Sequence, residues 1–286
     1  MGTGWIEWPL ILFTVLGQCV VGGIIVMGLA QLGGNLSVRQ NQGLHRWMFF
    51  LWLLMGLAFL ASVMHLGSPL RALNSLNRVG PSALSNEIVS GSLFFAVGGI
   101  YWLLAVMGKM PRVLGRLWLM LTMALGLVFV YIMTRVYQID TVPTWNNGYT
   151  TLNFFLTMFI GGPLLGLLLL RAAGIEIRGS RPLLFISVAA LLVSMASVVM
   201  QAAGLATISS SVQQASALVP QFGLLMALRL VLVALGLGCW IWPMWRRANA
   251  SMAAMSLGLV LVVAGELLGR GVFYGLHMTV GMAVAG

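Results

Sequence analysis

Along this chain apolar residues run in long unbroken stretches, without the two-residue alternation of a half-buried strand or the single apolar stripe of a soluble helix. Eight such stretches stand out, at about residues 9–31, 47–66, 88–107, 117–137, 152–170, 183–203, 222–244 and 253–273. A bilayer core of about 30 Å takes roughly 20 helical residues, so the pattern predicts eight transmembrane helices. No change of composition and no linker marks off a water-soluble unit. The expectation is an all-α integral membrane protein whose residues 1–286 form a single membrane domain. The first stretch has no basic lead-in and is flanked by Glu7, which predicts a retained spanning helix in place of a cleaved signal.

Composition agrees: 60% of residues are hydrophobic, 7% are charged and the mean hydropathy is +1.01, a balance foreign to water-soluble domains. Charge adds a direction. The net +10 comes from 15 basic residues scattered singly through short connections, without the basic-aromatic patterning of a nucleic-acid binder. Arg39 and Arg46, Lys109, Arg112 and Arg116, Arg171, Arg178 and Arg181, and Arg246 and Arg247 fall in the connections after the first, third, fifth and seventh stretches. The other connections hold mainly Arg71 and Arg78. By the positive-inside rule the basic side is cytoplasmic, so both termini face outward, to the periplasm. The outer connections are also the longer ones, which suits docking of a partner. Cys19 and Cys239 each sit inside an apolar stretch without a CxxC partner, supporting neither a disulfide framework nor a metal site.

The connection from His65 to Glu87, HLGSPLRALNSLNRVGPSALSNE, gathers polar chemistry that neither neighbouring stretch contains. It predicts a short helix lying in the interface between the second and third spanning helices. Ser68 is placed to cap it, Pro69 takes the first helical position, and Leu70, Leu73 and Leu76 share a face. Arg71, Asn74 and Arg78 take the other faces, Gly80 and Pro81 end the helix, and Glu87 falls in the first turn of the next span.

With the orientation set, His65, Glu87, Arg135, Gln201, Arg229, Glu266 and Arg270 all come toward the outer side. Charge inside a membrane is costly and marks a functional site or a buried pair, so a shared outward polar pocket is expected. Each residue also has a plainer reading. Glu87 would complement the dipole of its helix; His65 would bind the last carbonyls of its own. Glu266 and Arg270, four apart, would pair on one helix face, while Arg135 and Arg229 need partners from other helices. Glycine runs such as GGIIVMG, GGIYW and GGPLLG are read as close-packing surfaces. Tryptophans including Trp5, Trp8, Trp47, Trp52, Trp102, Trp118, Trp145 and Trp245 are read as a belt near the helix ends.

A pocket with one base, carboxylates and arginines, but no metal motif, suits a lipophilic substrate that carries protons. A quinol enters from lipid and gives up two protons as it loses two electrons, and a histidine can take one of those protons. The electrons need an acceptor elsewhere, because the sequence offers no haem or iron–sulfur site. Paired axial histidines are not available at one depth, since His45 lies at the opposite end of its stretch and His277 in the outer tail.

The stretches WPLILFTVLGQCVVGG, MHLGSPLRALNSLNRVGPSALSNEI, IDTVPTW, SSVQQASALVP and GELLGRGVFYGLHMTVGMA span the protein end to end. Through them it resembles the membrane-anchor subunits of bacterial dimethyl sulfoxide reductases, within the wider polysulfide reductase anchor family. The resemblance implies eight helices in the bacterial inner membrane, oxidation of bound menaquinol, and electron transfer to a four-cluster iron–sulfur subunit. That subunit serves a molybdopterin catalytic subunit, which makes the assembly a heterotrimer. The family's quinol-binding histidine and glutamate match His65 and Glu87, and Arg71 and Ser62 complete the expected site. Ile6 departs from the pattern, in which close relatives have histidine within WHEWPL. The resemblance extends equally to a close paralogue that anchors a selenate-type reductase, and VYQIDTVPTWNNGYTT is somewhat nearer that paralogue. Two other readings remain at this point: an ion- or proton-coupled transporter, which calls for internal repeats and a polar path to the inner side, and a purely structural anchor.

Overall fold

A computed structural model describes residues 3–33, 36–65, 74, 76–175, 181–210, 214–246 and 248–279, apart from the side chains of Thr3 and His65. Eight long helices follow in order among the described residues: α1 Trp8–Leu32, α2 Val38–His65, α3 Ala83–Val106, α4 Arg112–Arg135, α5 Gly148–Ala172, α6 Arg181–Leu205, α7 Phe222–Trp245 and α8 Met252–Gly275. All eight are long and apolar enough to cross a membrane. Adjacent helices pair as α1 with α2, α3 with α4, α5 with α6 and α7 with α8.

Polar caps decide where several helices begin. Ser82, Asn147 and Ser251 accept backbone N–H groups of α3, α5 and α8 through their side chains. Helix α2 starts at Val38, well before the expected 47, because Ser37 and Gln40 form a reciprocal capping box: the Gln40 N–H donates to Ser37 Oγ and the Ser37 N–H to Gln40 Oε1. Polar residues there extend the helix beyond its apolar part. Gly108 and Gly174, with φ of 69° and 72°, close α3 and α5 at the basic end.

Helices α1 and α5 run through the centre and are mostly buried, whereas the others keep one face outward. Their crossing depends on glycine: a Cβ on Gly162 would collide with the Gly22 Cα, and one on Gly22 would lie 2.6 Å from the Met158 carbonyl oxygen. Gly236 and Gly258 play the same part between α7 and α8. Outward faces carry Leu57, Leu60, Leu121, Leu192, Val199, Leu235 and Val260, an apolar surface suited to lipid. Trp52 departs from the expected belt. It is buried in the core against Gly98, which leaves room for its ring. Cys19 is likewise a core residue, seated on Gly161.

Most of the expected interfacial helix, 66–73 and 75, lies outside the described residues; Leu76–Arg78 form a 3-10 turn. Gly80 follows with φ of 97°, and the Asn86 side chain holds it by accepting from its N–H at 2.6 Å and donating to its carbonyl at 3.0 Å.

Candidate functional site

Two to three turns below the helix ends on the side of both termini, about 10–15 Å in, four helices converge on a buried polar layer. Glu266 of α8 takes Arg229 of α7 as its partner, with Nη2 at 3.2 and 3.3 Å from its two oxygens. The Thr157 hydroxyl of α5 also donates to Glu266, at 2.5 Å. This corrects the expected Glu266–Arg270 pair. Arg270 turns the other way and donates to Gln18 of α1 at 2.9 Å, with its guanidinium 3.6 Å over the Phe154 ring. The reason is Gly269, where a Cβ would collide with the Arg229 Cδ. The bare backbone there lets Arg229 lie across α8 and claim the carboxylate.

Above this layer is a cavity of about 180 Å³ whose lining includes Asn153, Gln201, Arg229, Glu266, Arg270 and Phe273. The sequence-based expectation of a shared polar pocket holds for Gln201, Arg229, Glu266 and Arg270. It does not extend to Arg135, which is exposed and donates to Gln138 at its own helix end. Glu87 is also absent from the cavity lining.

Glu87 has a different setting from the one its spacing predicted. Because the Ser82 cap sets the start of α3 at Ala83, the first turn contains no acidic residue and Glu87 lies just beyond it. Its side chain is 6% exposed, and Oε1 has no hydrogen-bond partner among the described residues. A helix-dipole role accounts poorly for a carboxyl turned inward in this way. Nearby, the hydroxyls of Tyr137 and Tyr274 meet at 2.5 Å inside an aromatic cluster with Trp145, Phe154 and Phe273. Ser62 is half-buried on α2, three positions before His65 at the helix end; the His65 side chain and Arg71 lie outside the described residues.

A second polar group occupies the basic end. Gln31, His45 and Tyr101 join α1, α2 and α3 through a Tyr101 hydroxyl donating to Gln31 Oε1 at 3.0 Å and a Gln31–His45 contact at 3.1 Å. The exposed His277 packs its ring at a tilt against Trp145 at the other end.

Sequence reasoning missed Gln18, Thr157 and the tyrosine pair. Gln18 left a signal, a lone amide inside an apolar stretch. Thr157 left none, since a threonine bonding its own helix turn is ordinary in a membrane span.

Residues 1–276 match the family described as "DMSO reductase anchor subunit (DmsC)". Over the full length of both proteins the sequence is 60% identical to the C subunit of anaerobic dimethyl sulfoxide reductase from Escherichia coli K12. It is 59% identical, again over full length, to the anaerobic dimethyl sulfoxide reductase subunit YnfH of the same organism. The corresponding C subunit of Haemophilus influenzae is 40% identical across its whole length. The two Escherichia coli proteins are matched almost equally, so similarity does not assign this one to either of them.

Proposed function

Because the chain belongs to the dimethyl sulfoxide reductase anchor subunit family, we propose that this multi-pass anchor oxidises menaquinol and passes the electrons to a docked iron–sulfur subunit. That subunit would in turn serve a molybdopterin catalytic subunit that reduces the terminal acceptor. The observation that carries the reading is Glu87, a carboxyl buried just inside α3 with one oxygen free of any described partner. Such a group is suited to receive a proton or a hydroxyl hydrogen bond from a substrate that arrives through the lipid.

In this reading His65 accepts a hydrogen bond from a quinol hydroxyl and takes its proton. Glu87 receives that proton or orients the ring, Arg71 tunes both charges, and Ser62 completes the pocket. Each quinol releases two protons and two electrons, and the electrons leave for the docked subunit. The proposal sets both termini and the 65–87 connection on the periplasmic side, includes a short interfacial helix in that connection, and takes residues 1–286 as one membrane domain. The transporter reading calls for a polar route between the two ends. Between the two polar layers the interior instead holds Val21, Ile24, Leu51, Met55, Phe94 and Phe129, which favours the anchor.

Fluorescence titration of a quinol-site inhibitor against membranes containing the complex tests the site. Glu87→Gln is expected to weaken inhibitor binding at least tenfold. Unchanged binding in both Glu87→Gln and His65→Arg would move the quinol away from α2 and α3.

A further inference from the structure

Helices α2 and α3 meet through aromatic rings. Trp52 packs against Phe94 and Phe95, and Phe59 against Phe95, with centroids 5.5, 6.0 and 5.7 Å apart. From this seam a row of rings continues into the core: Phe59 lies 5.7 Å from Phe13, which lies 6.0 Å from Phe129. Phe13, Phe94 and Phe129 are at most 4% exposed, whereas Phe59 and Phe95 are only half-buried. Leu60, Val63 and Met64, next to Phe59 on α2, are exposed on the outward face. A ring arriving through lipid therefore meets this row at Phe59 and Phe95.

Helix register fixes what stands above Phe59. A Cβ on Gly91 of α3 would lie 3.1 Å from the Phe59 Cζ and 2.8 Å from the Phe129 Cε2, so this face of α3 is turned to both rings. Glu87 stands four residues earlier on the same face, about 6 Å further out. On α2, Ser62 follows Phe59 by three residues on a shared face, about 5 Å further out. Ser62 and Glu87 thus stand at one level on the two sides of the seam, with the Phe59 ring beneath them.

That floor is chemically one-sided. Its rings offer no hydrogen-bond donor, and the Trp52 indole N–H, buried without a partner among the described residues, lies two turns deeper against Gly98. Quinols differ in what they present to such a surface. A naphthoquinol has a fused second ring, apolar and able to stack. A dimethoxybenzoquinol has two methoxy oxygens there, which would lose water and find no donor.

We propose that Phe59 is the ring platform of the quinol site and sets its preference for naphthoquinols. The fused ring packs on Phe59, and the hydroxyls turn outward to Ser62, Glu87 and the end of α2. This inference rests on the quinol reading given above.

The test follows quinol-driven turnover of the membrane-bound complex with a naphthoquinol and a dimethoxybenzoquinol that carry the same short alkyl tail. Affinity is read as KM, or as the competitive inhibition constant for a quinol that turns over too slowly. Phe59→Leu should weaken naphthoquinol affinity about three- to tenfold, the range that one aromatic pair is worth, and change benzoquinol affinity and kcat less than about twofold. Turnover from an artificial soluble donor should stay at the wild-type level. If Phe59→Leu does not assemble, Phe59→Met, which also lacks the ring but keeps more of the bulk, decides in the same assay. Equal weakening of both quinols would make Phe59 a packing residue and overturn the proposal, and so would unchanged affinity for both. The quinol reading is scored separately. Phe59 variants that behave as wild type while Glu87→Gln loses inhibitor binding would sink this inference alone, whereas normal inhibitor binding in both Glu87→Gln and His65→Arg would remove the site on which it rests.

Discussion

Replacing Glu266 by glutamine probes the buried layer most sharply. The side chain keeps its size and one oxygen that can still accept from Thr157 or Arg229, but the negative charge disappears. Arg229 and Arg270, both nearly inaccessible, are then left as two buried cations. Removing one member of a buried ion pair costs about 3–5 kcal/mol, chiefly the desolvation of the charge left behind. For a protein of this size about 2–4 °C of melting temperature corresponds to each kcal/mol, so Glu266→Gln should melt roughly 6–20 °C lower. The control is Arg229→Met combined with Glu266→Met, which removes both charges and fills the space with apolar atoms. Replacement of a whole buried pair is far milder than breaking it, and the double variant should recover at least half of the loss. The assay heats the detergent-solubilised complex and measures the fraction that stays monodisperse, for wild type, Glu266→Gln, Arg229→Met and the double variant, as a double-mutant cycle. A double variant as unstable as either single one would refute the charge argument, and so would a Glu266→Gln protein that melts like wild type.

At the α1–α5 crossing, Gly162→Val puts side-chain atoms where the Gly22 backbone already lies, so the amount of membrane-inserted protein should fall severalfold on immunoblots, with Gly148→Ala, which meets no neighbour, as the tolerated comparison. For topology, an impermeant thiol reagent added outside the cell is expected to label a cysteine placed at Asn77 and to miss one placed at Arg112; the reverse pattern sinks the orientation. Docking of the iron–sulfur subunit is expected on the outer connections, so photo-crosslinkers at Ile139 or Gln221 should capture it, and capture at Lys109 instead would contradict that placement.

The eight helices were legible because a water-soluble fold has little use for uninterrupted hydropathy over roughly 20 residues, whereas a bilayer demands it. The start of α2 was legible in principle too, since Ser37 and Gln40 spell a capping box, but hydropathy does not register polar helical turns. At the site, local spacing was a poor guide. Glu266 and Arg270 have the right separation for an ion pair, yet the missing side chain at Gly269 admits Arg229 from α7 and the pairing is redirected. The shift of Glu87 beyond the first turn follows from a cap five residues earlier, a small change of register that turns an exposed dipole partner into a buried carboxyl. Tyr137 and Tyr274 stand far apart along the sequence, and only the packing of the α4 end against α8 brings their hydroxyls together.

The claim that this protein oxidises quinol at the junction of α2 and α3 is tested most directly by His65→Arg, assayed on one membrane preparation with two electron sources. A fixed cation at that position cannot accept a proton. Quinol-driven turnover should fall by at least an order of magnitude, while turnover driven by an artificial soluble donor, which feeds the catalytic subunit directly, should stay at the wild-type level. Equal loss of both activities would mean that His65 serves assembly, and undiminished quinol-driven turnover would contradict the account.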